Sequence, residues 1–94
     1  MAIYVMVGEY SVDAVKMISA ERTDRTEALL KKHGGKLKTG YATLGQSDLI
    51  LIVDLRDNET AMQVSVELTR MTGIAFTTSP AVSIQEFDQM MEEK

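Results

Sequence analysis

The sequence contains no cysteine, no tryptophan, and only one histidine and one proline among its 94 residues. Without cysteine, disulfides and thiolate metal sites are excluded, which predicts a reducing, cytoplasmic environment. One histidine gives no basis for a Ser-His-Asp arrangement, and the carboxylates do not cluster as they do in metal sites. We therefore expect no metal and no cofactor.

Positive charge is also scarce, since 10 Lys and Arg face 14 Asp and Glu, for a net charge of -4. Affinity for nucleic acids depends largely on cationic contacts to phosphates, so neither nucleic acid nor an anionic membrane is an expected partner. No apolar stretch approaches transmembrane length. The apolar run at residues 3–7 is short and lacks a basic flank, so no targeting segment is predicted.

Two apolar runs without alternation, residues 3–7 and 49–53, are typical of strands covered on both faces and thus central in a sheet. Gly8 is expected to end the first run. Residues 36–43 alternate and carry lysines, and residues 74–82 include the proline, so both segments are predicted to be edge strands. Leu37, Thr39, Tyr41 and Thr43 are expected on one face.

Helix signals lie between the strands. Ser11 is placed to cap a helix, a break is expected near residues 20–24, and Asp24 with Glu27 forms a second capping box before a stop at Gly34. Later, Asp57 or Asn58 caps a helix that Gly73 ends, and Ser83 with Glu86 caps a short terminal one. The expected inward-facing residues are Val12, Val15 and Ile18; then Ala61, Met62, Ser65, Leu68 and Met71; and finally Ile84, Phe87, Met90 and Met91.

The resulting order, β-α-β-β-α-β with a helical tail, predicts one α+β domain over residues 1–94, with the tail at 83–94. The pattern of central and edge strands fits the antiparallel order 4-1-3-2 of a ferredoxin-like fold. Two helices cover one face of such a sheet, yet both central strands are apolar on both faces. A homodimer, or a higher oligomer, is therefore expected to bury the other face.

The hairpin tip between the second and third strands carries the sequence Leu44-Gly45-Gln46-Ser47-Asp48, followed by the apolar strand. This tip resembles the motif of the GYD-domain family, and further similarities lie at residues 3–10, 19–22, 34–37 and 83–87. The resemblance implies a small dimeric α/β-barrel protein of unassigned activity. The chain departs from the pattern at Ser47, where the motif has tyrosine, and at Ala20, where proline is usual.

The same tip, Gly-x-x-Asp before an apolar strand, is also similar to the stand-alone effector-binding domain of the Lrp/AsnC regulators. That resemblance implies small amino-acid ligands held at subunit interfaces. It is a likeness of fold and tip.

Asp48 is the first candidate for a site, because a carboxylate entering a central strand needs a partner. It would bind a ligand amine or act as a base, or else accept backbone N–H groups at its turn. Gly45 serves the turn geometry. His33 is a weaker catalytic candidate, as a general base or axial haem ligand, although its place in the last helical turn favours a helix-end cation.

Aromatic and cationic residues extend the list of ligand-binding candidates. Tyr41 and Tyr10, with Tyr4, either line a pocket with their polar tips or pack in the core or an interface. Arg22, with Arg25, either clamps an anion or forms surface ion pairs.

Three functions follow as hypotheses. The first is a dimeric module that binds a small molecule near the hairpin tip at residues 45–48 or at the dimer interface. The second rests on resemblance to dimeric α/β-barrels, and is a cofactor-independent oxygenase or isomerase acting on a small aromatic or dicarbonyl compound. The third is a structural assembly subunit, which predicts no enclosed pocket.

Overall fold

The computed structural model describes residues 1–92 and contains a four-stranded antiparallel sheet with helices packed on one face. Residues 93–94 of the predicted tail lie outside the described residues. The α+β class and the β-α-β-β-α-β order with a terminal helix are confirmed, with the first helical region divided in two. The elements are β1 (Ala2–Tyr10), α1 (Val12–Lys16), α2 (Ala20–Lys32), β2 (Lys36–Ala42), β3 (Leu49–Leu55), α3 (Asn58–Thr72), β4 (Ile74–Ala81) and α4 (Ile84–Met91).

The strands lie in the order β2-β3-β1-β4, which is the predicted order 4-1-3-2 counted from the opposite edge. Both central strands are the apolar runs, and every neighbouring pair is antiparallel. Pro80 lies in β4, on an edge, where its missing N–H leaves no gap in the interior of the sheet.

Gly8 does not end β1, contrary to the prediction, because the strand continues to Tyr10. It is a buried strand residue that pairs with Leu49 on one side and Phe76 on the other. A Cβ at this position would lie 2.8 Å from Cγ2 of Ile74 and 2.9 Å from Cε1 of Phe76. The glycine therefore makes room for the β4 side chains that cross it.

The core lies between the sheet and the helices α2 and α3. Alternate residues of β1 and β3 point into it, as the period of a strand requires. It consists of Tyr4, Met6, Leu51, Val53 and Leu55 from the sheet and Leu30, Ala61, Val64 and Leu68 from the helices.

On the other face of the sheet, here called the open face, none of the described helices packs as α2 and α3 do on the core side. The central residues of the open face alternate with the core residues and are half-buried. They are Ile3, Val5 and Val7 of β1 and Ile50 and Ile52 of β3.

A β-bulge in β2 corrects the predicted alternation of that strand. Leu37 pairs with Val53 and so lies on the core side, whereas Tyr41 pairs with Ile50 and lies on the open face. The register shift falls between Leu37 and Thr39, and a shift of one residue moves every later side chain to the opposite face.

The first helical region also differs from expectation. Ser11 caps α1 as predicted, but Val12, Val15 and Ile18 are exposed and Ala14 is the buried residue, so their predicted inward orientation is wrong. The helix is only 5 residues long, so an apolar face cannot extend along it. The new helix begins earlier than Asp24, because the Oγ of Ser19 accepts the N–H of Arg22 at 3.1 Å and caps α2.

The remaining helix ends agree with the sequence. Asp57 caps α3 by accepting the N–H of Thr60 at 2.8 Å, Ser83 caps α4, and the left-handed glycines Gly34 and Gly73 follow α2 and α3. On α3, Met62 is 69% exposed.

The helical phase therefore places Val64, which the sequence reasoning missed, in the core in place of Met62. Every described residue of α4 is exposed, so within residues 1–92 this helix buries none of its apolar side chains.

Candidate functional site

A cavity of about 350 Å³ lies between α2 and the sheet, at the end of β1 where the chain turns into α1. Its floor and walls are mainly apolar side chains of the sheet, and α2 contributes the polar groups. The apolar lining includes Ile18, Leu37, Leu49, Leu51, Ile74 and Phe76. The polar lining consists of Tyr10, Ser19, Arg22, Thr23 and Thr26, with Gly40, Tyr41 and Ala42 along the β2 edge.

Arg22 is held in place by three elements. Its backbone N–H donates to Ser19 in the first turn of α2, and its Nη1 donates to the carbonyl oxygen of Ala14 in α1 at 2.7 Å. Its guanidinium carbon lies 5.3 Å from the centroid of the Tyr10 ring, a cation–π distance. The Thr26 hydroxyl donates to the Arg22 carbonyl oxygen at 2.9 Å, one turn further along.

Asp48 is joined to the end of β1 and does not line the cavity. Its Oδ2 accepts the backbone N–H of Tyr10 at 2.9 Å, and its own N–H donates to the Gly8 carbonyl oxygen at 2.9 Å. Its carbonyl oxygen accepts the N–H of Thr43, closing the hairpin. The carboxylate therefore fixes the strand that carries Tyr10, and Tyr10 in turn supports Arg22.

The other sequence candidates are dispersed. Tyr41 borders the cavity from the edge strand and is 60% exposed. Gly45 has a φ of 120° at the hairpin tip and lies outside the cavity lining. His33 caps the C-terminus of α2, where its Nε2 lies 3.3 Å from Oε1 of Glu67 on α3. The structure thus brings Tyr10 and Arg22 together, whereas the Tyr41 side chain lies on the open face, and His33 and the hairpin tip lie elsewhere.

The sequence reasoning missed most of the cavity. Ser19, Arg22 and Thr26 follow one another at intervals of three and four residues, and this helical spacing was a signal that a polar strip faces the sheet. Leu37 and Phe76 were not among the sequence candidates, and nothing in their spacing shows that the core leaves a space beside them.

A second cleft, of about 390 Å³, lies between α3 and β4. There the Tyr4 hydroxyl donates to Oδ1 of Asn58 at 2.6 Å, and the Thr78 hydroxyl donates to Oγ of Ser65 at 2.9 Å. Burial raises the pKa of Tyr4, and the negative charges of Asp57 and Glu59 add to the rise. The hydroxyl groups of Tyr4 and Thr78 in this cleft are thus hydrogen-bonded to other side chains of the same cleft.

Neither region resembles a metal centre. Within residues 1–92, no three His, Asp or Glu side chains come close enough together to hold a metal ion. Among the helices of the same described part, none combines the length and apolar character needed to cross a membrane.

Comparison with known proteins identifies the family. The solved structure of the leucine response regulatory protein of Mycobacterium tuberculosis has a similar fold, with a TM-score of 0.58 and 7% sequence identity. The similarity covers 87% of this chain and 51% of that protein, so the chain spans about half its length, and at this identity only the fold is shared. No curated protein matches the sequence. The model of the GYD domain matches residues 4–91, which extend from β1 through α4, and the chain therefore belongs to the GYD domain family.

Proposed function

We propose that this GYD protein is a small-molecule-binding module, that its ligand occupies the cavity between α2 and the sheet, and that two copies pair through their open faces. The cavity itself supports the proposal most strongly. Its volume of about 350 Å³ lies within the range typical of small-ligand sites, and its apolar lining is interrupted by a few polar groups from one helix. Such a combination buries an apolar ligand and fixes its orientation.

The character of the lining favours binding over acid–base catalysis. The described lining residues include no histidine and no carboxylate, the side chains most used for proton transfer near neutral pH. Both of the catalytic candidates from the sequence, Asp48 and His33, lie outside the cavity and are engaged with other groups of the protein. We place the pocket accordingly at α2, away from the hairpin tip.

The open face supports the pairing of two copies. Five aliphatic side chains at its centre are only half-buried, and a second copy of the same sheet would cover them all at once by an isologous contact. A stable interface of this kind buries roughly 1,200–2,000 Å² in total. The exposed apolar side chains of α4, among them Phe87 and Met90, can extend the contact.

A fluorescence titration with 2-naphthylmethanol, a neutral apolar probe, tests the binding site. The protein has no tryptophan, so naphthalene emission is read without interference from indole. We expect saturable binding that weakens about tenfold or more in Ala42→Phe, which places a ring inside the cavity. Ala28→Phe, at an exposed position of α2 outside the lining, is the matched control and should bind as the wild type does. Equal binding by Ala42→Phe and the wild type would contradict the proposed location.

A further inference from the structure

Arg22 is the one charged side chain among the residues that line the α2 cavity. It is half-buried, and the apolar lining around it is supplied by the central strand β3, by both edge strands and by Ile18. A charge in such surroundings loses hydration and is costly unless an opposite charge or several hydrogen bonds compensate it.

The protein supplies Arg22 with neutral partners only. Two ion pairs are present in residues 1–92, His33 with Glu67 and Arg56 with Asp57, and neither involves Arg22. The groups that hold the guanidinium are the carbonyl oxygen of Ala14 and the ring of Tyr10. These contacts fix its position without neutralising it.

The way in which Arg22 is held also preorganises it. Its Nη1 donates to the carbonyl oxygen of Ala14, and its guanidinium carbon lies over the ring of Tyr10, whose own backbone N–H is bound by the Asp48 carboxylate. A guanidinium carries further N–H donors in a rigid fork that matches the two oxygens of a carboxylate. Because the fork is already immobilised, an anion that meets it loses little of its affinity to ordering the side chain.

From this arrangement we infer that the cavity is selective for an organic monoanion, a compact apolar body bearing one carboxylate, with the carboxylate on Arg22 and the body against Leu51 and Phe76. This inference rests on the proposed binding function and names the class of ligand for it. The carboxylate of the ligand supplies the compensating negative charge, which none of the described lining residues provides. Arg22 is then the residue that determines specificity, whereas the apolar lining supplies affinity for anions and neutral molecules alike.

Two probes that share a naphthalene ring separate the two contributions. 2-Naphthoate carries a carboxylate where 2-naphthylmethanol carries a neutral hydroxymethyl group. The wild type is expected to bind the anion about tenfold or more tightly than the alcohol, the usual scale of a charge-assisted hydrogen bond. That preference should shrink as ionic strength rises, because salt screens a partly exposed charge.

Substitution of Arg22 supplies the decisive comparison. In Arg22→Gln the dissociation constants of the two probes should become equal within about twofold, because the anion loses its charged partner. Arg22→Lys keeps the charge and should retain part of the preference. Arg25→Gln, the same change on the same helix but outside the cavity, should keep the whole of it. Circular dichroism and thermal unfolding identify any variant that has lost its fold.

The outcomes are distinguishable. If the wild type binds both probes equally, or if Arg22→Gln keeps the preference for the anion, the inference about the ligand class is wrong while the binding site stands. If the wild type binds neither probe, the proposed binding function fails and the inference fails with it. Loss of the preference in Arg25→Gln would assign it to the general surface charge of α2 and would overturn the role of Arg22.

Discussion

Replacing Asp48 with alanine should lower the free energy of unfolding by about 1–2 kcal/mol. The substitution removes the oxygen that accepts the N–H of Tyr10 at 2.9 Å, where the hairpin joins the end of β1. Hydrogen bonds to charged groups contribute roughly 1.5–3 kcal/mol, and we take a value around and below the lower end of that range because water reaches the half-buried carboxylate. In a protein of 94 residues this corresponds to a fall in Tm of about 5–15 °C.

Thermal and urea unfolding followed by circular dichroism measure the effect. Asp48→Asn keeps an acceptor oxygen and should lose about half as much stability. Asp24→Ala, at an exposed position on α2, is the control for removal of a carboxylate and should unfold as the wild type does. The reasoning is refuted if Asp48→Ala is as stable as Asp24→Ala. If Asp48→Ala is as stable as Asp24→Ala and yet fails to bind 2-naphthylmethanol, Asp48 belongs to the ligand site.

Three further substitutions test other parts of the structure. Gly8→Ala should lower the free energy of unfolding, measured in urea, by about 1–3 kcal/mol, and should weaken probe binding, because the added methyl pushes Phe76 toward the cavity. Unchanged stability of this variant would contradict the packing at Gly8. The hydroxyl and backbone N–H of Thr60 stabilise the Asp57 carboxylate and hold its pKa below its usual range. The stability that this interaction gives the fold is therefore present at a pH above the usual pKa, and it is lost as the pH falls through the lowered pKa. Asp57→Asn should therefore unfold at a lower Tm than the wild type at pH 7, with the difference closing below about pH 4, and a difference independent of pH would exclude this cause. Val5→Lys places a charge at the centre of the open face and should convert the proposed dimer into monomers in native mass spectrometry. A dimeric Val5→Lys would rule out pairing through this face.

The sheet was predictable because its signals are local and agree with one another. The two apolar runs identify the central strands, and the single proline marks β4 as an edge. The caps at Ser11, Asp57 and Ser83 were predictable because each side chain accepts a backbone N–H of the helix that it begins.

The errors arose where tertiary packing overrides local pattern. Gly8 resembles a strand terminator, yet its role is set by Ile74 and Phe76, which lie far away in sequence. The bulge after Leu37 turns the Tyr41 side chain to the face opposite that of Leu37, and no residue type in β2 indicates a bulge there. In α1, apolar residues suggested an inner face, but a helix of 5 residues buries only Ala14.

The cavity was predictable only in part. Arg22, Tyr10 and Tyr41 were candidates because their side chains suit ligands; Arg22 and Tyr10 meet at the cavity, whereas the Tyr41 side chain lies on the open face. Its position at α2 depends on how far the helix stands from the sheet, a distance that the helical and strand periods do not determine. Asp48 drew attention as a carboxylate beside an apolar strand, and its partner proved to be the backbone of Tyr10.

The most direct test of the account is a map of amide chemical shifts in ¹⁵N-labelled protein during a titration with 2-naphthylmethanol. The account predicts that the largest changes fall on the amides that surround the α2 cavity, notably Thr23, Gly40 and Leu51, and that they saturate together. Changes concentrated instead at Met62 and Thr78, which line the cleft between α3 and β4, would show that the ligand binds there and would contradict its proposed location in the α2 cavity. The absence of saturable changes would contradict the binding function itself.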